Sequence, residues 1–188
     1  MDILIAGVGG QGTLLASRVL GKYALDNGFD CKLSEVHGMA QRGGSVITYV
    51  RVSDSPDKKI YSPIIDEKGA DIILAFEKLE AIRYLPYLKD GGTVIYSSQE
   101  IMPMPVVTGA EKYPQGIEEV LGGVEIDALS LALSAGNAKA ANSVMLGALC
   151  KKLGLDKEKF ASALVSCIPP KTVEMNKKAF ELGYDAAK

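Results

Sequence analysis

The chain has 188 residues, 47% of them apolar, and a formal net charge of −2 from 21 Lys plus Arg against 23 Asp plus Glu. That suffices for one sizeable core and is short for two ordinary domains, so residues 1–188 read as a single domain, with 157–188 a C-terminal helical appendage within it. The basic residues are scattered rather than massed into an arm, which argues against nucleic acid as a main partner.

No apolar run approaches the roughly 20 residues that span a bilayer, so no membrane association is expected. Met1-Asp-Ile-Leu-Ile-Ala-Gly7 lacks the basic region of a secretory signal, and a cytoplasmic location is expected. Cys31, Cys150 and Cys167 are far apart, with no CxxC and a single histidine in the chain, so no metal site is expected on this chain.

Ile3–Ala6 is a short apolar strand, and Thr13–Leu25 follows with apolar residues at helical spacing, a βα opening closed by Asn27-Gly28. Cys31–Val36 reads as the second strand. An irregular segment from His37 to Gly44 then enters Val46–Val52, a β-branched strand that the pattern allows to run antiparallel. A polar turn at 53–59 precedes a possible short strand at Ile60-Tyr61.

Asp71–Ala75 is the next buried strand. Phe76–Leu88 reads as a helix ended by Asp90-Gly91-Gly92, with Glu77, Lys78 and Glu80 as an exposed charge pattern. Thr93–Tyr96 and Val124–Asp127 are further strands, joined by an extended Met- and Pro-rich stretch. Helices follow from Ala128, after an Asn137 cap through Leu153, over Lys157–Val165, and over Val173–Leu182 beyond Pro169-Pro170. Short strands alternating with helices predict a three-layer α/β fold with a mostly parallel central sheet and a Rossmann-like βα opening; the strand order stays open.

Gly7, Gly9 and Gly12 satisfy GxGxxG between strand and helix, where backbone amides can face an anion at a helix N-terminus. Gly10 makes the turn more permissive, and Gln11 and Thr13 add donors; the alternatives are a close backbone interface or simple support of the turn. A nucleotide site also needs ribose recognition, for which Glu35 at the end of the second strand is a candidate acid; nothing else completes a dinucleotide signature, and no GxxxxGK[ST] is present.

The segment Glu35-Val-His-Gly-Met-Ala-Gln-Arg-Gly-Gly-Ser45 carries the strongest polar signal. Arg42 offers a rigid donor fork suited to carboxylate, phosphate or carbonyl groups, and Gly43 and Gly44 leave its surroundings open. His37 and Gln41 are candidates for orientation, against the plainer reading of a pinned glycine loop. A histidine-centred base would have to be His37, against the equally available reading of a structural hydrogen bond, and strand alternation can point Ser34, Ser45 and Glu35 apart. No catalytic residue is assigned.

The ordered anchors Gly7-Val-Gly-Gly-Gln-Gly12, Glu35–Gly44, Tyr61-Ser-Pro63, Ala75-Phe-Glu-Lys-Leu-Glu80, Leu85-Pro-Tyr-Leu-Lys89, Ala135-Gly-Asn137 and Asn142-Ser-Val-Met-Leu-Gly-Ala148 cover most of the chain. Together they resemble the beta subunits of indolepyruvate ferredoxin oxidoreductases, homologous to the gamma subunits or domains of other 2-oxoacid ferredoxin oxidoreductases. Where the wider family often has Tyr-Gly-x-Glu-x before Arg-Gly-Gly, this chain has His37-Gly-Met-Ala-Gln41, similar to the arylpyruvate branch.

The resemblance implies a subunit that is inactive alone. It would support oxidative decarboxylation of an aryl 2-oxoacid with coenzyme A (CoA), giving an aryl-acyl-CoA, carbon dioxide and reduced ferredoxin. A larger alpha subunit would carry thiamine diphosphate and the iron-sulphur clusters, with no cofactor bound tightly here. It places His37, Gln41, Arg42, Gly43 and Gly44 against substrate, CoA or the partner, and Gly7, Gly9, Gly10, Gln11, Gly12 and Thr13 at an anion-facing or interface turn. Competing readings are a freestanding Rossmann-like nucleotide-binding or redox protein, and a non-catalytic assembly or regulatory subunit.

Overall fold

The computed structural model describes residues 1–38 and 43–187. Among the described residues, six strands form one sheet in the order β2-β3-β1-β4-β5-β6. They are β1 (Asp2–Val8), β2 (Cys31–His37), β3 (Ser45–Val52), β4 (Ala70–Ala75), β5 (Leu88–Ser97) and β6 (Val124–Ile126). β1, β4, β5 and β6 run parallel, while β3 lies antiparallel between β1 and β2. The sheet is α/β and mostly parallel, as the pattern predicts, and the antiparallel option for β3 is the one adopted.

Strand alternation divides the core into two layers. Ile3, Ile5, Val50, Leu74, Ile95 and Ile126 face one side, and Leu4, Ala6, Ile47, Ile73, Val94 and Tyr96 face the other. The first face is covered by α1 (Thr13–Asp26), α5 (Ala128–Ala135), α6 (Ala141–Lys152), α7 (Lys157–Cys167) and α8 (Val173–Ala186). The second is covered by α2 (Lys78–Arg83), Ile65, Tyr113 and α4 (Ile117–Leu121); the short α3 (Met104–Val107) contributes Val106 at its margin. Each fully buried Ile or Leu contributes about 1.5–3 kcal/mol, so the two layers supply most of the driving force.

α6 and α8 touch backbone to backbone. A Cβ on Gly147 would run into the Phe180 carbonyl, and one on Gly183 into the Val144 carbonyl. Phe180 stacks on Phe160 of α7 with ring centroids 5.8 Å apart. The last two helices therefore brace the core through small residues and aromatic packing.

Several sequence expectations need correction. The helix expected over 76–88 is only Lys78–Arg83 with a 3-10 turn at Leu85–Tyr87, because β5 already begins at Leu88 and contains Asp90-Gly91-Gly92. Residues 60–61 form no strand. Ile60 N–H instead goes to the Asp30 carboxylate at 2.8 Å, and Arg51 holds the Ser62 and Ile64 carbonyls. The Met- and Pro-rich stretch is extended only before Met104, where α3 starts.

Glu77, Lys78 and Glu80 are not an exposed charge pattern: they are 1%, 6% and 4% exposed. Ala81, one helical step on, packs against the sheet, so the start of α2 lies flat on the core and its polar residues must find internal partners.

Candidate functional site at the carboxyl rim

In a parallel sheet the strands end on one rim, where ligands of open α/β folds gather. Here β1 leads into residues 9–12, β4 into Phe76-Glu77, β5 into Ser98-Gln99 and β6 into Asp127 on that rim. Because β3 is antiparallel it begins at the same rim, and β2, parallel to β1, ends there. The topology thus brings His37, Gly43, Gly44 and Ser45 beside the glycine-rich turn.

Gln11 organises that turn. Its Oε1 accepts from Val8 N at 2.7 Å, and its Nε2 donates to the Phe76 carbonyl at 2.9 Å and to Gln99 Oε1 at 3.2 Å. This stitches the ends of β1, β4 and β5 together. Gly10 has φ +109° and Gly12 φ +88°, backbone that side chains rarely adopt. Gly12 also leaves room for Asn142 of α6, whose Nδ2 would stand 2.5 Å from an added Cβ.

On its other side the turn pairs with the start of β3. Gly9 N–H donates to the Gly44 carbonyl at 2.8 Å, and Gly43 N–H to the Gly9 carbonyl at 3.4 Å. Gly43 has φ +76°. The two glycine motifs are therefore one backbone-paired unit rather than separate loops.

Glu35 points at the α1 N-terminus: its Oε2 accepts from Thr13 Oγ1 at 3.4 Å and from Thr48 Oγ1 at 3.2 Å. A carboxylate there complements the helix dipole. His37 is exposed, with Nδ1 3.1 Å from the Gly38 carbonyl. Glu35 and His37 stand opposite Thr48 and Val46, whereas Ser45 reaches Glu80 and Tyr84 on the other face of the sheet. That separates Ser45 from the histidine and leaves no nucleophile-base-acid arrangement among them.

Two hollows flank the turn. One, of about 500 Å³, is lined by Gln11, Phe76, Gln99, Lys139, Asn142 and Met145 among others. The second, of about 420 Å³, is lined by Gly9, Thr13, Leu14, Glu35, His37 and Val46 among others. The first has amide groups, a cation and an apolar floor, a combination suited to an elongated polar ligand or a partner loop. Among the described residues no His, Cys, Asp and Glu cluster could hold a metal.

The structure thus gathers Gly7, Gly9, Gly10, Gln11, Gly12, Thr13, His37, Gly43 and Gly44 on one rim, while Gln41 and Arg42 lie outside the described residues. Gln99, Lys139 and Asn142 were missed by sequence reasoning. Asn142 had a signal, since Asn142-Ser143 is a polar pair within an apolar helix; Ser143 in fact bonds Asn176 of α8 at 2.7 Å. Gln99 had none.

Beneath the rim lies a buried polar network. Glu77 caps α2 through Glu80 N at 2.8 Å and also accepts from Ile101 N at 3.0 Å and Tyr113 OH at 2.9 Å. Burial first, and the Glu77 carboxylate second, push the Tyr113 phenol well above its usual range. Lys78 pairs with Glu100 and Glu118; the hydrogen bond it donates to Glu118 raises the ammonium's pKa and lowers that of Glu118.

The fold and rim define a Rossmann-like α/β domain with an antiparallel strand inserted beside its first strand and a glycine turn backed by a second glycine segment. Residues 2–186 match the family model described as pyruvate ferredoxin/flavodoxin oxidoreductase, and the chain belongs to that family. It is 43% identical to the indolepyruvate oxidoreductase subunit IorB of Thermococcus kodakarensis, over 100% of this chain and 96% of that protein. The IorB subunit of Pyrococcus horikoshii is also 43% identical, with the same coverage. Among solved structures, the gamma subunit of a keto/oxoacid ferredoxin oxidoreductase from Geobacter sulfurreducens PCA superposes with TM-score 0.74 at 28% identity, covering 99% of this chain and 97% of that one.

Proposed function

We propose that this chain is the smaller subunit of an indolepyruvate ferredoxin oxidoreductase, acting with a larger alpha subunit on aryl 2-oxoacids and CoA in the cytoplasm. The observation that carries this reading is full-length similarity, 43% identical, to proteins named as indolepyruvate oxidoreductase subunits. Thiamine diphosphate and iron-sulphur clusters, assigned to the alpha subunit, supply the carbanion chemistry and accept the electrons passed to ferredoxin.

This chain's own contribution is binding and enclosure. The rim residues Gly9–Thr13, His37 and Gly43-Gly44 form one side of the shared active region, and backbone amides of the glycine turn face an anionic group or the partner. Arg42 meets a carboxylate, a phosphate or an interfacial group, with His37 and Gln41 orienting it. The support for this is the joining of both glycine segments on the rim, the place where α/β folds take ligands.

The test is anaerobic purification of the chain from its native cell extract, followed by assay of indolepyruvate- and CoA-dependent ferredoxin reduction. Co-purification with a larger thiamine- and cluster-containing chain that has this activity is the expected result. A partner-free chain, or a complex without such turnover, would overturn the reading. Arg42→Ala should then lower kcat/KM of the complex by about tenfold or more, the scale of one lost charged contact. Unchanged turnover and assembly would remove Arg42 from the site.

A further inference from the structure

We propose that Glu80 is a positioning residue for Gly43-Gly44-Ser45, where the second glycine segment enters β3; the inference rests on the reading that this stretch serves the shared active region. Glu80 lies on α2, under the opposite face of the sheet from His37, and its side chain is only 5% exposed. One carboxylate oxygen accepts from Arg83 Nε at 3.0 Å, and the other accepts from Ser45 Oγ. Ser45 Oγ also lies 3.0 Å from Tyr84 OH.

Because an ionised carboxylate only accepts, Ser45 must donate to Glu80, which leaves its oxygen to accept from Tyr84. The order Tyr84 to Ser45 to Glu80 is thereby set, and the chain ends on the buried Glu80 carboxylate, which Arg83 also bonds.

Ser45 is the first residue of β3, directly after Gly43-Gly44. Those glycines are otherwise held by their backbone pairing to Gly9, one bond of which is long at 3.4 Å. A glycine pair supplies no side-chain anchor of its own, so Ser45 is the first side chain that can fix the segment's exit. Gln11 closes the circuit: it ties the turn to the Phe76 carbonyl, four residues before Glu80. The rim is therefore a hydrogen-bonded ring running from the glycine turn through Gly44 and Ser45 to Glu80, along the start of α2 to Phe76, and back through Gln11.

A carboxylate so deeply buried costs desolvation that packing alone would avoid. Glu77 already caps α2 and holds Ile101 and Tyr113, so α2 has its anchor without Glu80. What Glu80 adds is the link across to β3.

The experiment uses full-length Glu80→Leu, Ser45→Ala and Glu80→Gln. Amide hydrogen exchange is followed at Gly9 and residues 43–46 in the chain alone, and kcat and KM are measured with the larger subunit present. Glu80→Leu and Ser45→Ala are expected to speed exchange at these amides by about tenfold or more, without matching changes in α6 and α8. Glu80→Gln, which keeps an acceptor for Ser45, should stay within about threefold of the parent chain.

In the complex, the first two variants should lose kcat/KM mainly through a raised KM for the 2-oxoacid or CoA, and Glu80→Gln should restore most of it. Exchange unchanged in both Glu80→Leu and Ser45→Ala would overturn the proposal. So would faster exchange with kinetics unaltered, since that marks a purely structural tie. If the parent complex shows no oxoacid-dependent turnover, the functional reading falls instead, and the exchange arm alone decides whether Glu80 anchors the segment.

Discussion

Two glycines two positions apart in sequence differ in why they are glycine. Gly10 has φ +109° and open space where a Cβ would go, so its requirement is conformational only. Gly12 combines φ +88° with Asn142 at 2.5 Å from the added carbon. Gly10→Ala should therefore cost about 1–2 kcal/mol, the penalty of a side chain in that backbone region. Gly12→Ala should cost about 1–3 kcal/mol more, because α6 must also give way. Urea midpoints of the two variants check the ranking; equal midpoints would show that Asn142 moves aside at no cost. The permissive turn at Gly10 was legible from the glycine run between strand and helix, whereas the Asn142 contact joins residues 130 positions apart and leaves no local trace.

At the scale of elements, α2 shows how burial turns charges into ties. Lys78 is buried at the start of α2, yet joins Glu100 and Glu118 from the stretch before β6. The sign of the pH dependence follows from Glu118, whose pKa is lowered by Lys78 in the folded chain. Its stabilising effect is present above the ordinary carboxylate value of 4.5 and is lost as the pH falls below that through the lowered value. Lys78→Met keeps the apolar stem and removes the charge. Thermal midpoints followed from neutral pH down through 4.5 should fall more steeply for the parent chain than for Lys78→Met, the two curves converging in acid. Parallel curves would mean that the pair is too well solvated to matter. A helical wheel could not have revealed this, since it cannot tell a short helix flat on a sheet from one on the surface.

Across the whole molecule, the insertion of β3 bears on what the glycine turn can serve. In a dinucleotide-binding fold the second strand lies next to the first, and its terminal acid reaches the ribose. Here β3 separates them, so β2 lies about 9–10 Å from β1 instead of about 4.8 Å. Glu35 is moreover engaged with Thr13 and Thr48. The isolated chain is therefore expected to show no saturable NAD or FAD binding by calorimetry. Micromolar binding of either would restore the freestanding nucleotide-binding reading.

What the sequence determined by itself was local and periodic: apolar runs of strand length, helical spacing in α1 and α6, glycines where backbone must turn, and the ordered motifs that point to the family. These are legible because each depends on neighbours a few residues away or on a pattern of residue types. The strand order, the pairing of Gly9 with Gly44, the burial of Glu77, Lys78 and Glu80, and the approach of Asn142 and Gln99 to the rim were decided only by tertiary structure. Each is a contact between distant segments, fixed by which faces must be buried and which polar groups then need partners, and no local pattern encodes those two conditions.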